Sequence, residues 1–274
     1  MVSLHDIAKE NYSNDPVTKP LRYYEIFEQA LSEEGMSPRC ILEIGVYQGE
    51  STKALSRRFP DALVVALDLN LRDIDFSGCG NVRYLQCDQA DGAKLKSICE
   101  EHFPDGLDLV IEDASHIGHL SRLTFDSVFP HLRHGGLYIV EDWGTGYWDT
   151  WIDGRAYSDH KLPGSTRRIA QRVPSHDFGM VGFVKSLVDC TAADDITDKR
   201  ARAGNWLSRI AMQAARLGAV RKVVDRMPQL RSWLVRSVGK PAQAGGVPDA
   251  ATGTPLPRLK SLRVFKGVCV ACKE

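Results

Sequence analysis

Acidic residues and a histidine follow two apolar segments in the middle of the chain, where they could hold a metal ion and move a proton. Asp113-Ala-Ser-His116 closes one segment, and Glu141-Asp142 closes the next. Three carboxylates in one place repel one another, and a hard cation with oxygen ligands removes that cost. The donor set therefore favours Mg²⁺ held by Asp113, Glu141 and Asp142. An imidazole titrates near neutral pH, so His116 is the candidate general base for a hydroxyl that the metal has acidified.

A turn with two glycines follows the first apolar segment and could approach a nucleotide-like cofactor. The run Glu43-Ile-Gly45-Val-Tyr-Gln-Gly49-Glu-Ser51 lets the backbone turn tightly at both glycines. Its spacing is neither the dinucleotide pattern G-x-G-x-x-G nor a P-loop. Asp68 ends the second apolar segment, where a carboxylate can accept both hydroxyls of a ribose. Asp88 ends the third segment, within reach of an adenine amine.

The elements that must position these residues alternate between short apolar strands and helices. Strands that are nearly all apolar predict a parallel sheet covered on both faces. This is a doubly wound, Rossmann-like α/β fold, whose ligands lie at the carboxyl ends of the strands. Two final strands return to complete a mainly parallel sheet of seven. The predicted strands are 40–45, 63–68, 82–88, 107–113, 137–142, 262–265 and 268–272, and the helices between them are 52–59, 90–102 and 120–132.

The chain is divided into four parts on this pattern. A helical segment occupies 1–38, the core 39–190, a basic helical insert with its linker 191–257, and the final strands 258–274. Within the core, Gly135-Gly136 is expected to end a helix, a loop is expected from Trp143 to about Pro174, and a helix is expected over 178–188.

The net charge of zero conceals a strong asymmetry along the chain. Residues 1–198 carry 19 Lys and Arg against 32 Asp and Glu, whereas residues 199–274 carry 16 against 3. Between 199 and 240, eleven Lys and Arg face one acid, Asp225, with Trp206 and Trp233 among them. Such helices could lie on an anionic membrane surface, pack on the acidic core, cover the site or form a homo-oligomer contact. No RNA-binding module is visible, so a nucleic-acid partner is not expected.

Composition and the N-terminal sequence indicate where such a chain works. The 274 residues are 43% hydrophobic and 26% charged, which is ordinary for a globular protein. No apolar run is long enough to span a membrane, and no secretory signal is visible. We therefore expect a cytoplasmic protein, with peripheral contact at the inner membrane face left open by the basic insert.

The glycine turn together with Asp68 and Asp88 resembles the class I S-adenosylmethionine (SAM) methyltransferases, whose first motif is E/D-x-G-x-x-x-G. A second set of residues resembles the metal-dependent sugar O-methyltransferases of the macrocin and mycinamicin type. That similarity covers roughly residues 15–190 and the last 15. Gly146 departs from it, since serine is common there, and the basic insert has no recognised counterpart. The matching residues are Asp113, Ser115, His116, Phe129-Pro130, Leu132, Gly135-Gly136, Tyr138, Glu141-Asp142, Thr145 and Tyr147.

The resemblance implies transfer of a methyl group from SAM to a sugar hydroxyl of a natural product or glycolipid. Mg²⁺ would be bound by Asp113, Glu141 and Asp142, and His116 would be the base. Tyr147 and Trp148 could stack on a sugar face or simply pack. A catechol or phenol O-methyltransferase stays open, as does a non-catalytic protein that keeps the SAM fold and binds a membrane or partner. The residues expected to contact SAM are Glu43, Gly45, Gly49, Ser51, Asp68, Asp88 and Asp113.

Overall fold

The computed structural model describes residues 2–10, 12, 18–160, 176–193 and 257–274. The chain divides into two units, Met1–Thr191 with Arg258–Glu274, and Ala192–Pro257. Every element given below belongs to the first unit. The predicted basic helices and the linker between 194 and 256 lie outside the described residues, so their predicted contacts stay predictions. No helix in the described ranges is long and apolar enough to cross a bilayer.

The described residues alternate between helices and strands along most of the chain. The helices are α1 (Leu4–Glu10), α2 (Leu21–Glu33), α3 (Glu50–Arg58), α4 (Gly92–His102), α5 (Gly118–Val128), α6 (Ile152–His160) and α7 (Gly179–Thr191). The strands are β1 (Cys40–Ile44), β2 (Leu63–Asp68), β3 (Val82–Gln86), β4 (Leu107–Glu112), β5 (Leu132–Glu141), β6 (Leu259–Val264) and β7 (Val268–Lys273). Short 3₁₀ helices occupy Phe129–His131 and Trp143–Tyr147.

All seven strands join one sheet in the order β3-β2-β1-β4-β5-β7-β6. The strands β1 to β5 pair in parallel, and β7 pairs antiparallel with both β5 and β6. The predicted doubly wound, mainly parallel sheet of seven strands is confirmed. The strand order reverses between β1 and β4, and ligands of such folds bind at that point, beyond the carboxyl ends of the strands.

The core has one layer on each face of the sheet because successive strand residues point to opposite faces. Leu42 and Val65 pack with Leu95 of α4 and belong to one buried cluster, which also includes residues of α5 and α7. Ile41 and Val64, each one position earlier, belong to the other cluster with residues of α1, α2 and α3. Both layers are fully desolvated, so the apolar strands fix the sheet between two helical layers.

The fifth strand begins earlier than the sequence predicts. The pair Gly135-Gly136 lies inside β5 rather than at the end of a helix. Helix α5 already ends at Val128, and Pro130, which has no backbone N–H to continue a helical ladder, follows in a 3₁₀ turn. Gly135 has a φ of +75°, so its role is to let the strand turn rather than to cap a helix.

Helix α6 lies in the region where the sequence predicts only a loop. Gly154 lies inside this helix, although a glycine in an aromatic segment is more typical of a loop. A Cβ added to Gly154 would lie 2.1 Å from the backbone oxygen of Trp148, so glycine serves close packing inside a helix there. The prediction of a loop over this segment is therefore wrong for residues 152–160.

Candidate functional site

A cavity of about 310 Å³ opens at the carboxyl ends of strands β1 to β4, where the strand order reverses. Four of the predicted cofactor-binding residues line it: Gly45, Asp68, Asp88 and Asp113. Tyr47, Leu69, Arg72, Gln89 and Ser115 are among the other lining residues. The structure thus brings together the acids that end successive strands.

Gly45 allows β1 and β4 to approach each other at the mouth of this cavity. Its φ is +95°, and an added Cβ would lie only 2.0 Å from the backbone oxygen of Asp113. Asp68 then fixes the turn, because its Oδ2 accepts hydrogen bonds from the backbone N–H groups of Val46 and Tyr47, both at 3.0 Å. The turn is held in one conformation by the same carboxylate that was predicted to contact a ribose.

Three predicted cofactor-binding residues do not line the cavity. Glu43 is buried beneath the turn, where its Oε2 accepts a 2.5 Å hydrogen bond from Thr52, and burial raises the pKa of its carboxyl. An added Cβ on Gly49 would meet the side chain of Ile74 at 2.9 Å. Ser51 accepts a 3.3 Å hydrogen bond from Lys19. These three residues therefore lie outside the lining of this cavity, and their contact with SAM stays a prediction.

Gln89, which lines the cavity, pairs with a buried glutamate that the sequence analysis missed. Gln89 donates a 2.7 Å hydrogen bond from Nε2 to Oε1 of Glu112, and its own Oε1 accepts one from the backbone N–H of Ser115. Ser121 of α5 also donates to Glu112 Oε1, at 3.1 Å. Burial raises the pKa of Glu112 to about 7. The signal was available, since Glu112 shares its sheet face with Val110, the face that α5 covers.

Asp113, His116 and Asp142 form a group whose ligand atoms lie within 4.8 Å of one another. The Nε2 atom of His116 is 3.7 Å from Oδ1 of Asp113 and 3.9 Å from Oδ2 of Asp142. His116 and Asp142 have φ values of +53° and +51°, which are uncommon for residues other than glycine. Such backbone strain is characteristic of functional sites.

The chemistry of this group fits a divalent cation. Two carboxylates offer hard oxygen ligands, and Mg²⁺ is usually bound by one or two carboxylates while its other positions are filled by water or substrate. The Nδ1 atom of His116 is buried and has no hydrogen-bond partner in the described structure. The polar atoms of the group are therefore not fully satisfied by their protein neighbours.

The third predicted metal ligand, Glu141, lies outside this group. Its side chain is 1% exposed, and its Oε1 accepts a 2.5 Å hydrogen bond from the ammonium of Lys19. The same ammonium lies 3.1 Å from Oδ2 of Asp113. Desolvation alone would lower the pKa of Lys19, but the two carboxylates outweigh it and raise that pKa, so the side chain is a cation. Glu141 thus pairs with Lys19 in this structure, and its role as a third metal ligand beside Asp113 and Asp142 stays a prediction.

Helix α2 supplies a second contact to the group of Asp113, His116 and Asp142. Tyr23 donates a 2.5 Å hydrogen bond from its hydroxyl to Oδ1 of Asp142. Partners that orient a ligating carboxylate in this way tune the affinity of a metal site. The sequence analysis identified neither Lys19 nor Tyr23, because it describes residues 1–38 only as a helical segment.

Several aromatic side chains lie in the segment that follows Asp142. The predicted acceptor residues Tyr147 and Trp148 are both exposed, and the ring of Tyr147 packs edge-on against His176 at 4.8 Å. The ring of Trp151 lies 5.7 Å from that of His116. Their contact with an acceptor stays a prediction.

Asp153 ties the aromatic segment to two helices. Its Oδ2 accepts hydrogen bonds from the backbone N–H groups of Gly118, at 2.8 Å, and Met180, at 2.7 Å. These residues begin α5 and α7, where unpaired N–H groups favour a negative charge. The carboxylate therefore fixes the segment beside His116, two residues before α5 begins.

Comparisons with known proteins found several O-methyltransferases as relatives, although no family model matches the chain. The chain is 30% identical over 176 residues to demethylmacrocin O-methyltransferase of Streptomyces fradiae, which covers 62% of this chain and 40% of that protein. It is 29% identical over 176 residues to mycinamicin VI 2''-O-methyltransferase of Micromonospora griseorubida, covering 62% and 39%. It is 37% identical over 115 residues to L-olivosyl-oleandolide 3-O-methyltransferase of Streptomyces antibioticus, covering 39% and 29%.

Among solved structures, the fold matches the MycE methyltransferase from the mycinamycin biosynthetic pathway in complex with Mg and SAH. The TM-score is 0.60 at 21% identity, over 99% of this chain and 53% of that one. The matches to the curated relatives span less than half of those proteins' length. The resemblance to the macrocin and mycinamicin type of sugar O-methyltransferases is therefore confirmed, and the chain shares its fold with one of these methyltransferases.

Proposed function

We propose that the chain is a SAM-dependent O-methyltransferase that uses a divalent cation, Mg²⁺, to methylate a sugar hydroxyl of a glycosylated natural product or glycolipid. The observation that carries this proposal is the position of Asp113. It lines the cavity at the strand ends and also belongs to the group with His116 and Asp142. A methyl donor in the cavity would therefore lie next to an acceptor held at the metal.

The names of the related proteins support the same reading. All three are O-methyltransferases, and their names give demethylmacrocin, L-olivosyl-oleandolide and mycinamicin VI as the compounds methylated. A further solved structure of MycE contains Mg, SAH and mycinamycin VI. These ligands belong to those proteins, and we extend their chemical class to this chain because its own site has matching parts.

Each part of the cavity has a role in holding the cofactor. Asp68 and Asp88 would accept hydrogen bonds from the ribose hydroxyls and the adenine amine of SAM. The absence of a side chain on Gly45 lets the backbone approach the cofactor closely. Gln89, held by Glu112, keeps the loop after β4 in place.

Asp113 and Asp142 would hold the cation, with Glu141 as a third carboxylate if Lys19 releases it. When bound there, Mg²⁺ would orient neighbouring hydroxyls of the acceptor and lower the pKa of one of them. Holding both partners at near-contact distance supplies a large part of such a rate enhancement.

His116 would take the proton from the acceptor hydroxyl. Its Nε2 lies 3.7 Å from Oδ1 of Asp113 and 3.9 Å from Oδ2 of Asp142, which places this nitrogen beside both proposed metal ligands. One nitrogen cannot bind a metal and accept a proton at the same time, so the cation is assigned to the carboxylates. The hydroxyl oxygen would then bond to the methyl carbon of SAM as the carbon–sulfur bond breaks, which would leave S-adenosylhomocysteine (SAH).

The first experiment is calorimetric titration of SAH into the full chain, with Mg²⁺ and then with EDTA. We expect micromolar binding, followed by Mg²⁺-dependent methylation of glycosides when these are assayed beside catechols. Preference for catechols would select the alternative acceptor class, and SAH binding without turnover of any acceptor would favour the non-catalytic alternative. No SAH binding under either condition would contradict the proposal.

Two variants then test the assigned roles. His116→Ala should lower turnover by about 10²–10⁴-fold, the usual contribution of a general base, while SAH affinity stays near that of the wild type. Asp142→Ala should abolish both activity and its dependence on Mg²⁺. Full activity in either variant would refute the role of that residue.

A further inference from the structure

A buried lysine holds two of the three carboxylates at the ends of β4 and β5. The ammonium of Lys19 lies 2.5 Å from Oε1 of Glu141 and 3.1 Å from Oδ2 of Asp113. Its side chain is 9% exposed, and that of Glu141 is 1% exposed. The lysine therefore makes its contacts away from solvent, where charges interact strongly.

Besides Lys19, the imidazole of His116 lies near these carboxylates, with its Nε2 3.7 Å from Oδ1 of Asp113. Lys19 also donates to Ser51 at 3.3 Å and lies 5.7 Å from the ring centre of Phe27, but neither of these groups carries a charge. On the acidic side, Asp142 is the third carboxylate, and Tyr23 donates a hydrogen bond to it. Within the described residues, Lys19 is the cation that the structure places between Asp113 and Glu141.

An ammonium group and a metal ion both bind the oxygen atoms of these carboxylates. Each stabilises negative oxygen atoms within about 2–3 Å, and a carboxylate oxygen that faces one is poorly placed for the other. A divalent cation bound beside Asp113 would also be repelled by a positive charge in the same buried cluster.

We propose that Lys19 competes with the divalent cation for the carboxylates of Asp113 and Glu141. This inference rests on the proposed metal site and adds a regulating residue to it. Release of Lys19 frees Glu141 as a third ligand, so metal affinity depends on where the segment before α2 lies. Lys19 thus couples the N-terminal segment to metal binding.

Metal affinity tests this competition directly. Mn²⁺ binding to the full chain is followed by the paramagnetic resonance signal of the free ion. Lys19→Met removes the charge and keeps much of the apolar stem, and we expect it to tighten Mn²⁺ binding by about tenfold or more. Lys19→Arg keeps the charge and should stay within about threefold of the wild type. In a Glu141→Gln background, Lys19→Met should tighten Mn²⁺ binding by a smaller factor, because one of the two carboxylates that Lys19 and the metal both bind is absent.

The outcomes separate this inference from the metal site on which it rests. If the wild type binds Mn²⁺ and Lys19→Met binds it equally well or more weakly, the proposed competition is wrong but the metal site stands. No Mn²⁺ binding by either protein would overturn the metal site and the competition together. Binding by the Lys19→Met variant that greatly exceeds that of the wild type would support both.

A second measurement needs no variant and does not depend on the stability of one. The rate at which an amine-acetylating reagent modifies Lys19 is measured by mass spectrometry on the wild-type chain, with and without Mg²⁺. Displacement of the ammonium by the metal should raise that rate, whereas the rate at Lys260, which is 59% exposed, should not change. An unchanged or lower rate at Lys19 would overturn the proposal.

Discussion

The buried carboxyl group of Glu112 should make the free energy of unfolding fall as the pH rises, and Glu112→Gln should remove that dependence. The side chain is fully buried. Its Oε1 accepts hydrogen bonds from Gln89 and Ser121, whereas its Oε2 has no partner in the described structure. Ionisation would therefore place a negative charge in the core with only one of its two oxygens hydrogen-bonded.

The direction of the effect follows from the pKa of Glu112. Burial raises it from 4.5 to about 7 in the folded chain, so the folded state holds its proton at pH values where the unfolded state has lost it. The stability contribution is full below about pH 4.5 and is lost as the pH rises towards 7. The difference between the folded and unfolded pKa values corresponds to a loss of about 3 kcal/mol in the free energy of unfolding above pH 7.

Urea unfolding at pH 5 and pH 8, followed by circular dichroism, measures this contribution. A glutamine is neutral and nearly isosteric, and its amide oxygen can accept the same two hydrogen bonds. We expect Glu112→Gln to exceed the wild type by up to about 3 kcal/mol at pH 8 and by less than about 1 kcal/mol at pH 5. Glu101→Gln, at an exposed position of α4, should show no such trend. A difference between wild type and Glu112→Gln that is the same at both pH values would refute the reasoning.

Three further substitutions test the framework of the site. Gly45→Ala should lower the free energy of unfolding by at least about 2 kcal/mol through backbone strain and collision, whereas Gly78→Ala, with open space around it, should change it by less than about 0.5 kcal/mol. Asp153→Ala should cost about 3 kcal/mol because two helix N-terminal amides lose their acceptor, and Asp153→Asn should cost far less; equal costs would argue against that role. Tyr23→Phe should weaken Mn²⁺ binding by about tenfold or more while Tyr24→Phe does not; equal effects would mean that the hydrogen bond to the metal group is unimportant.

The proximity of Asp113 and Asp142 could be predicted from the sequence, because parallel strands end at one edge of a sheet. Asp113 and Asp142 follow β4 and β5, which are neighbours, so their proximity follows from the strand pattern alone. The pairing of Lys19 with Glu141 could not be predicted in the same way. It joins residues more than a hundred positions apart, and a single lysine near a helix carries no periodic signal.

Strand alternation held information on the acidic residues that the sequence analysis did not use. Glu141 follows Leu137 and Ile139 at intervals of two, so its side chain lies on the sheet face that α2 covers. Glu43 follows Ile41 onto the same face for the same reason, and this explains why it lies under the turn instead of in the cavity. The type of a residue indicated its chemistry. Whether it occupies an odd or an even position along the strand determines which face of the sheet it lies on, and so which residues it contacts.

The insertion of β7 between β5 and β6 has a consequence for synthesis of the chain. Five residue pairs join β5 to β7, from Leu137 with Cys272 to Glu141 with Val268. At about 5–20 residues per second, a ribosome needs on the order of ten seconds to make the chain between Glu141 and Val268. Throughout that interval β5 presents a bare, apolar strand edge of the kind that recruits other chains. We therefore expect the nascent chain to be most prone to association with other chains before β7 has been synthesised.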